Sequence, residues 1–392
     1  MSRNIREKVL ENYKYLVRAR KYFHMYPELS CHEYETAKYI KRELEKFKIP
    51  YEVTGENSIV AIIRGKREGK TVALRGDIDA LPIQENTGID FTSRNEGVMH
   101  ACGHDCHATF MLGAAKILNE LKDEISGSVK VIFQEGEEIG AGAIKIMSSD
   151  LLNDVENIVG LHVSQELDLG KFSLGYGIQT SYGAGARIKI LGKGGNIACP
   201  DKAVNALIVV GQIVTAINAA VAYEFASDQQ VVLVPTIIRS GAESNGIPDT
   251  AEIAYNFRTL NRINIDVLKR IMENIPQNIA KAYGAEASLE LWGPGEAVNN
   301  EIESTDRAIK VIKDSFGEES FFSNKPFMGG EDFSIYQKKI PGVFVHVGSA
   351  VDGIYRNLHT DKTLMNEEVL KYGVEFLINY AFEYLSEADK IN

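Results

Sequence analysis

The chain has 392 residues, 44% of them hydrophobic and 25% charged, with a formal net charge of -11 at pH 7. That length exceeds what one compact core usually holds, so two domains are expected, and the composition excludes a disordered or fibrous chain. The negative balance opposes phosphate backbones and anionic lipid surfaces, so neither nucleic acid nor a membrane is an expected partner.

The first residues, MSRNIREKVLENYKYLVRARKYF, are charged and amphipathic. They lack the apolar core and cleavage site of a secretory signal, which predicts a cytoplasmic protein. Two helical stretches open the chain, and Tyr26-Pro27-Glu28 stops the first. Short β-branched runs follow at Ser58 to Ile63, Thr71 to Leu74, Val129 to Phe133 and Ile158 to Val163, separated by helical patterns such as Ala108 to Leu121. That alternation predicts an α/β sheet.

From about Tyr182 the order becomes strand (Ala186 to Leu191), helix (Lys202 to Glu224), strand (Val231 to Ile238), strand (Ala251 to Arg258), helix (Ile265 to Tyr283) and strand (Ala287 to Trp292). This is the βαββαβ order of a ferredoxin-like module. Its run Ala206 to Tyr223 is about long enough to cross a bilayer, but Gln212, Thr215 and Asn218 interrupt it. A helix apolar on nearly every side is expected inside the protein or against a partner subunit, so it is a candidate dimer surface. From Gly293 the chain returns to helix and strand patterns that complete the first domain. The predicted division is therefore 1–181 with 294–392, and an inserted 182–293.

Four cysteines, Cys31, Cys102, Cys106 and Cys199, form neither a disulfide framework nor a C-x-x-C pair. Cys102 stands out because Met99 to His107 reads MHACGHDCH, crowding thiol and imidazole donors before an apolar helix. Gly103, between Cys102 and His104, lets the backbone turn tightly enough for both donors to face one place. A second cluster, Gln134-Glu135-Gly136-Glu137-Glu138, follows a strand-like run. Three crowded carboxylates repel unless cations neutralise them, and strand C-termini are where open α/β sheets carry sites. An acidic turn in solvent reads the same way. His162 ends another apolar run, as a ligand or as a core histidine, and Asp77 and Asp79 end a third.

Taken with His24-Met-Tyr-Pro-Glu-Leu-Ser, RGDIDALP, Asn245-Gly-Ile-Pro-Asp249, Gly330-Glu-Asp-Phe333 and Leu358-His359, these segments resemble the amidohydrolase branch of the dinuclear metallopeptidases related to carboxypeptidase G. That branch includes hippurate hydrolase, N-acyl-amino acid amidohydrolases and indole-acetyl-amino acid hydrolases. The resemblance implies an aminopeptidase-like catalytic domain with an inserted lid that dimerises and closes over substrate. It makes Cys102, His104, Glu138, His162 and His359 ligands of two divalent ions, Zn2+ or Mn2+. Glu137 becomes the general base and Asp79 the partner that orients a ligand. Asn196, Asn245 and Arg258 become substrate-binding groups of the lid, Arg258 as a carboxylate clamp or as an ordinary surface strand residue.

The implied reaction is hydrolysis of the amide bond of a small N-acyl or aryl-acyl amino acid. A dipeptidase or N-acetyl-diaminopimelate deacetylase would use the same centre. The sequence departs from the family pattern at Asn196, where a histidine is usual, and at Gln134-Glu135-Gly136 and Asn256-Phe257. An asparagine cannot move a proton, so a metal-holding protein that binds without turnover is a further alternative.

Overall fold

The structure, a computed structural model, describes residues 5–292 and 295–387. The chain divides into two units: Met1–Gln179 with Val298–Lys325 and Glu331–Asn392, and Thr180–Ala297 with Pro326–Gly330. The sequence assigned Pro326–Gly330 to the first domain. In the structure Gly329 O accepts from Ser181 N–H at 2.9 Å and from Ser181 Oγ at 3.0 Å, which ties the stretch to the second unit. The expected boundary at 293/294 falls outside the described residues.

In the first unit the β-branched runs form one mixed eight-stranded sheet, in the order Tyr51–Thr54, Ser58–Arg64, Ser126–Gln134, Arg67–Asp77, Asn157–Ser164, Gly342–Gly348, Phe172–Leu174, Phe321–Ser323. Ser126–Gln134, Arg67–Asp77, Asn157–Ser164 and Gly342–Gly348 run parallel, so their C-terminal ends share one rim. Both faces of this sheet are covered, as parallel strands with continuous apolar runs require. One face packs Val72, Leu74, Val129 and Val131 with Phe110, Met111 and Val374 of the helices His104–Glu120 and Val369–Glu387. The other packs Val60, Ala73, Ile132 and Ile158 with Phe333, Tyr336 and Phe344.

The second unit has the expected βαββαβ order. Its antiparallel sheet runs Val231–Ser240, Thr250–Thr259, Tyr182–Leu191, Glu286–Trp292, and its two helices, Ala206–Glu224 and Arg262–Ala282, share a core with Ile188, Ile253 and Phe257. The first helix starts later than the sequence suggested. Pro200–Lys202 forms a separate 3-10 turn, and Asn205 caps the helix by accepting from Leu207 N–H at 3.0 Å. Ala206, Val209, Val210, Ile213 and Ile217 are buried, whereas Leu207, Ile208 and Tyr223 are exposed, so this apolar helix is covered on one face only. It is the one helix among the described residues long and apolar enough to cross a membrane.

Candidate metal centre

The shared rim of the first unit brings together side chains far apart in sequence. Gly103 caps the helix His104–Glu120 with φ 89°, and a Cβ there would stand 2.4 Å from Val163 Cγ2. Only glycine tolerates both the left-handed backbone and the close approach. Cys102 and His104 flank it. His104 Nδ1 lies 3.1 Å from Asp79 Oδ1, which directs Nε2 away from the carboxylate. Asp79 Oδ2 accepts from Ser30 Oγ at 2.7 Å and from Glu138 N–H at 3.0 Å. One carboxylate therefore aligns an imidazole and the backbone of a glutamate from a different strand end.

His162, on Asn157–Ser164, donates through Nδ1 to Val163 O at 2.7 Å and presents Nε2 3.4 Å from Cys102 Sγ. His359 takes a left-handed backbone, φ 61°, and its N–H donates to Ala101 O at 2.9 Å, which draws it to the same loop. Its Nε2 lies 3.2 Å from Cys102 Sγ and 3.4 Å from Glu138 Oε1.

The donor atoms form two groups, Cys102, His104 and His162 in one and Cys102, Glu138 and His359 in the other, each within 4.8 Å. Donors on one tetrahedral ion stand roughly 3–4 Å apart, given metal–nitrogen and metal–sulfur bonds of about 2.0–2.3 Å. His104 Nε2 and Glu138 Oε1 are buried with no hydrogen-bond partner. Leaving such atoms unsatisfied is costly, and a cation beside each removes the cost. Burial pushes the Cys102 thiol well above its usual range, so a thiolate there needs a neighbouring cation. On these grounds the residues fit metal ions.

Glu137 faces two ways. It groups with His104 and Glu138 on one side and with Glu331 and Asp332 on the other. Its Oε1 accepts from Asp332 N–H at 3.4 Å. Burial, then the charges of Glu331 and Asp332, push its pKa well above the carboxylate range. Those two acids are restrained by Arg75, whose Nη2 lies 2.8 Å from Asp332 Oδ1 and 3.1 Å from Glu331 Oε1. Its Nη1 reaches Asp77 Oδ2 at 2.8 Å and its Nε donates to Gln134 Oε1 at 2.9 Å.

The sequence offered RGDID and GEDF as motifs but gave Arg75, Glu331 and Asp332 no role. Asp77 also holds His107 Nδ1 at 2.6 Å, and His107 Nε2 accepts from Val163 N–H at 2.9 Å. With both nitrogens engaged, His107 braces the rim from behind. The crowding expected of Glu135 does not occur. Its carboxylate turns away, 2.9 Å from Lys145 Nζ, and accepts from Asn57 N–H at 2.8 Å.

Asn196, Asn245 and Arg258 lie in the second unit, apart in sequence and unit from these donors. Asn196 pairs with Gly246 in a two-stranded ribbon, which places Asn245 beside it. The Asn196 Oδ1 accepts from Ala198 N–H at 2.9 Å, leaving its amide N–H groups. Arg258 is half-buried on Thr250–Thr259, where Nη1 donates to Phe257 O at 3.2 Å. Among the described residues no carboxylate pairs with it.

The family model for peptidase family M20/M25/M40 matches residues 73–383. N-acetylcysteine deacetylase of Bacillus subtilis (strain 168) is 35% identical over 371 residues, covering 93% of this chain and 96% of that protein. An IAA-amino acid hydrolase of Arabidopsis thaliana is 35% identical over 396 residues, covering 96% of this chain and 88% of that protein. Among solved structures, a Bacillus subtilis dinuclear metal binding peptidase of the M20 family superposes with a TM-score of 0.82 at 31% identity, covering 95% of this chain and 98% of that chain.

Proposed function

Because the chain belongs to peptidase family M20/M25/M40 and is a hydrolase of amide bonds, we propose that it cleaves small N-acyl or aryl-acyl amino acids at two divalent ions, zinc or manganese. The observation that supports this reading is the Cys102 sulfur, common to two three-donor groups with Glu137 beside them. We assign Cys102, His104, Glu138, His162 and His359 as ligands and Asp79 as the group that orients His104. When bound, the ions would supply an acidified water and polarise the substrate carbonyl.

Glu137 does the proton work: bound cations would offset the burial and the neighbouring acids that raise its pKa, leaving it ionised to act as a base. It takes a proton at Oε as the amide carbon is attacked and returns it to the departing amine. The Asp332 N–H holds that carboxylate in place, and Arg75 offsets the charge of Glu331 and Asp332 beside it. Arg258 takes the carboxylate of the amino acid, and the amide N–H groups of Asn196 and Asn245 donate to the substrate. The half-covered helix Ala206–Glu224 is the proposed surface of a homodimer.

The test is a screen of N-acyl amino acids against dipeptides with the zinc- and manganese-loaded protein in turn. Turnover of N-acyl amino acids is expected, and turnover of dipeptides alone would reject the substrate class. Asn196 favours one second reading, binding without turnover. Activity that is absent both in the native protein and in Asn196→His would support that reading, whereas a large gain on substitution would mark a slowed catalyst.

A further inference from the structure

The open face of the second unit's sheet carries two adjoining notches. In the strand Tyr182–Leu191, Ala184, Ala186 and Ile188 face the helices and belong to the core. Gly183 and Gly185 therefore face the other way, about 7 Å apart along the strand. Gly183 pairs with Arg258 on one neighbouring strand, and Gly185 pairs with Trp292 on the other. Both large side chains fold inward over the bare backbone. A Cβ at Gly183 would stand 2.5 Å from Arg258 Nη1, and one at Gly185 would stand 2.1 Å from Trp292 Cε2.

The two groups differ in what satisfies them. The guanidinium of Arg187, next along this face, lies 5.5 Å from the centre of the Trp292 ring and is itself paired with Glu252 at 3.4 Å. That contact steadies the indole, which remains 44% exposed. Arg258 differs from the buried arginines Arg20 and Arg75, each of which holds carboxylates. Among the described residues its only hydrogen bond is to a backbone carbonyl. A cation lacking an acid, set beside an exposed aromatic surface, is complementary to an anion carrying an apolar group.

We propose that Trp292 is a specificity-determining residue: with Arg258 on the substrate carboxylate, the indole receives the aromatic side chain of that same amino acid. The preferred substrates are then N-acyl derivatives of aromatic amino acids. This rests on the N-acyl amino acid reading above, and the carboxylate and side chain of one such residue span the two notches.

Trp292 is the only tryptophan in the chain, so its emission reports the site directly. Titrating the metal-loaded protein with L-phenylalanine and N-acetyl-L-phenylalanine is expected to change that emission saturably. Phenethylamine, which lacks the carboxylate, should not, and Arg258→Met should weaken the response at least tenfold. In turnover, Trp292→Ala should raise the ratio of KM for N-acetyl-L-phenylalanine to that for N-acetyl-L-alanine by about three- to tenfold, the worth of one aromatic pair. Gly185→Ala, which must displace the indole without deleting it, should move the ratio the same way. An unchanged ratio in both variants, or hydrolysis of saturating N-acetyl-L-phenylalanine with no change in emission, overturns the proposal while leaving hydrolysis intact. A saturable, carboxylate-dependent response without turnover would instead support the platform and remove the hydrolytic reading.

Discussion

Substituting Gly103→Ala tests whether the backbone between Cys102 and His104 sets the metal centre. The residue sits at φ 89°, and the added methyl would meet Val163 Cγ2 at 2.4 Å and Met365 Cε at 2.9 Å. A left-handed alanine costs about 1–2 kcal/mol, and forcing a methyl into a packed wall costs about 1–3 kcal/mol more. The strain is therefore about 2–5 kcal/mol, and it can be discharged in two ways. If the loop shifts, Cys102 and His104 separate and metal affinity falls by roughly thirtyfold to several thousandfold. If the loop holds, the folded state carries the strain, and the metal-free Tm falls by about 5–15 °C for a unit of this size. Metal content after dialysis against graded chelator and thermal unfolding of the metal-free protein read the two routes separately. A variant that keeps native metal content, chelator resistance and Tm would refute the reasoning.

Glu137→Gln should lower kcat by about a hundred- to ten-thousandfold while metal content stays native, as measured by steady-state kinetics alongside elemental analysis. Asp79→Ala removes the acceptor shared by His104 and Glu138, and a loss of about 10- to 100-fold in metal affinity is expected by chelator competition. Burial, with Asp79 adding to it, pushes Glu33 up to about 7 although Cys31 N–H and Gly136 N–H both donate to it. A carboxyl whose folded pKa is raised favours the fold below its ordinary range near pH 4.5, and that contribution is lost as pH climbs to about 7. The loss amounts to about 3 kcal/mol. Urea unfolding of metal-free Glu33→Gln at pH 5 and pH 8 should show a flatter dependence than the native chain, and equal slopes would reject the assignment.

The parts of the fold that could be read from sequence were those with a local signature. Asn157–Ser164 and Ser126–Gln134 are buried along nearly their whole length and centre on the apolar, β-branched runs Ile158 to Val163 and Val129 to Phe133, so their composition marks them in the sequence. Arg67–Asp77 is legible only from Thr71, because its first residues are exposed and polar and its ladder with Ser126–Gln134 is interrupted between Arg67 and Thr71. Phe172–Leu174 and Phe321–Ser323 pair with each other across about 150 residues of chain and are too short to carry a pattern.

Local spacing likewise exposed Cys102, His104, Glu137 and Glu138, which sit at element ends with unmistakable side chains. It could not show that Arg75 reaches Asp332, 257 residues away, or that Glu135 turns from its neighbours toward Lys145. Such contacts depend on side-chain direction and on long-range closure, which residue order does not encode legibly. The glycines at 183 and 185 are plain in the sequence, but the side chains that lie over them come from two other strands.

The strand Gly342–Gly348 lies between Asn157–Ser164 and Phe172–Leu174, both of which precede it by more than 150 residues. A nascent chain that has emerged only as far as the inserted unit thus has a slot open in its central sheet, and it still lacks the imidazole of His359. Biosynthesis therefore imposes an order of events: the central sheet, and with it the cation site proposed around Cys102, is completed only after the segment carrying Gly342–Gly348 and His359 has left the ribosome.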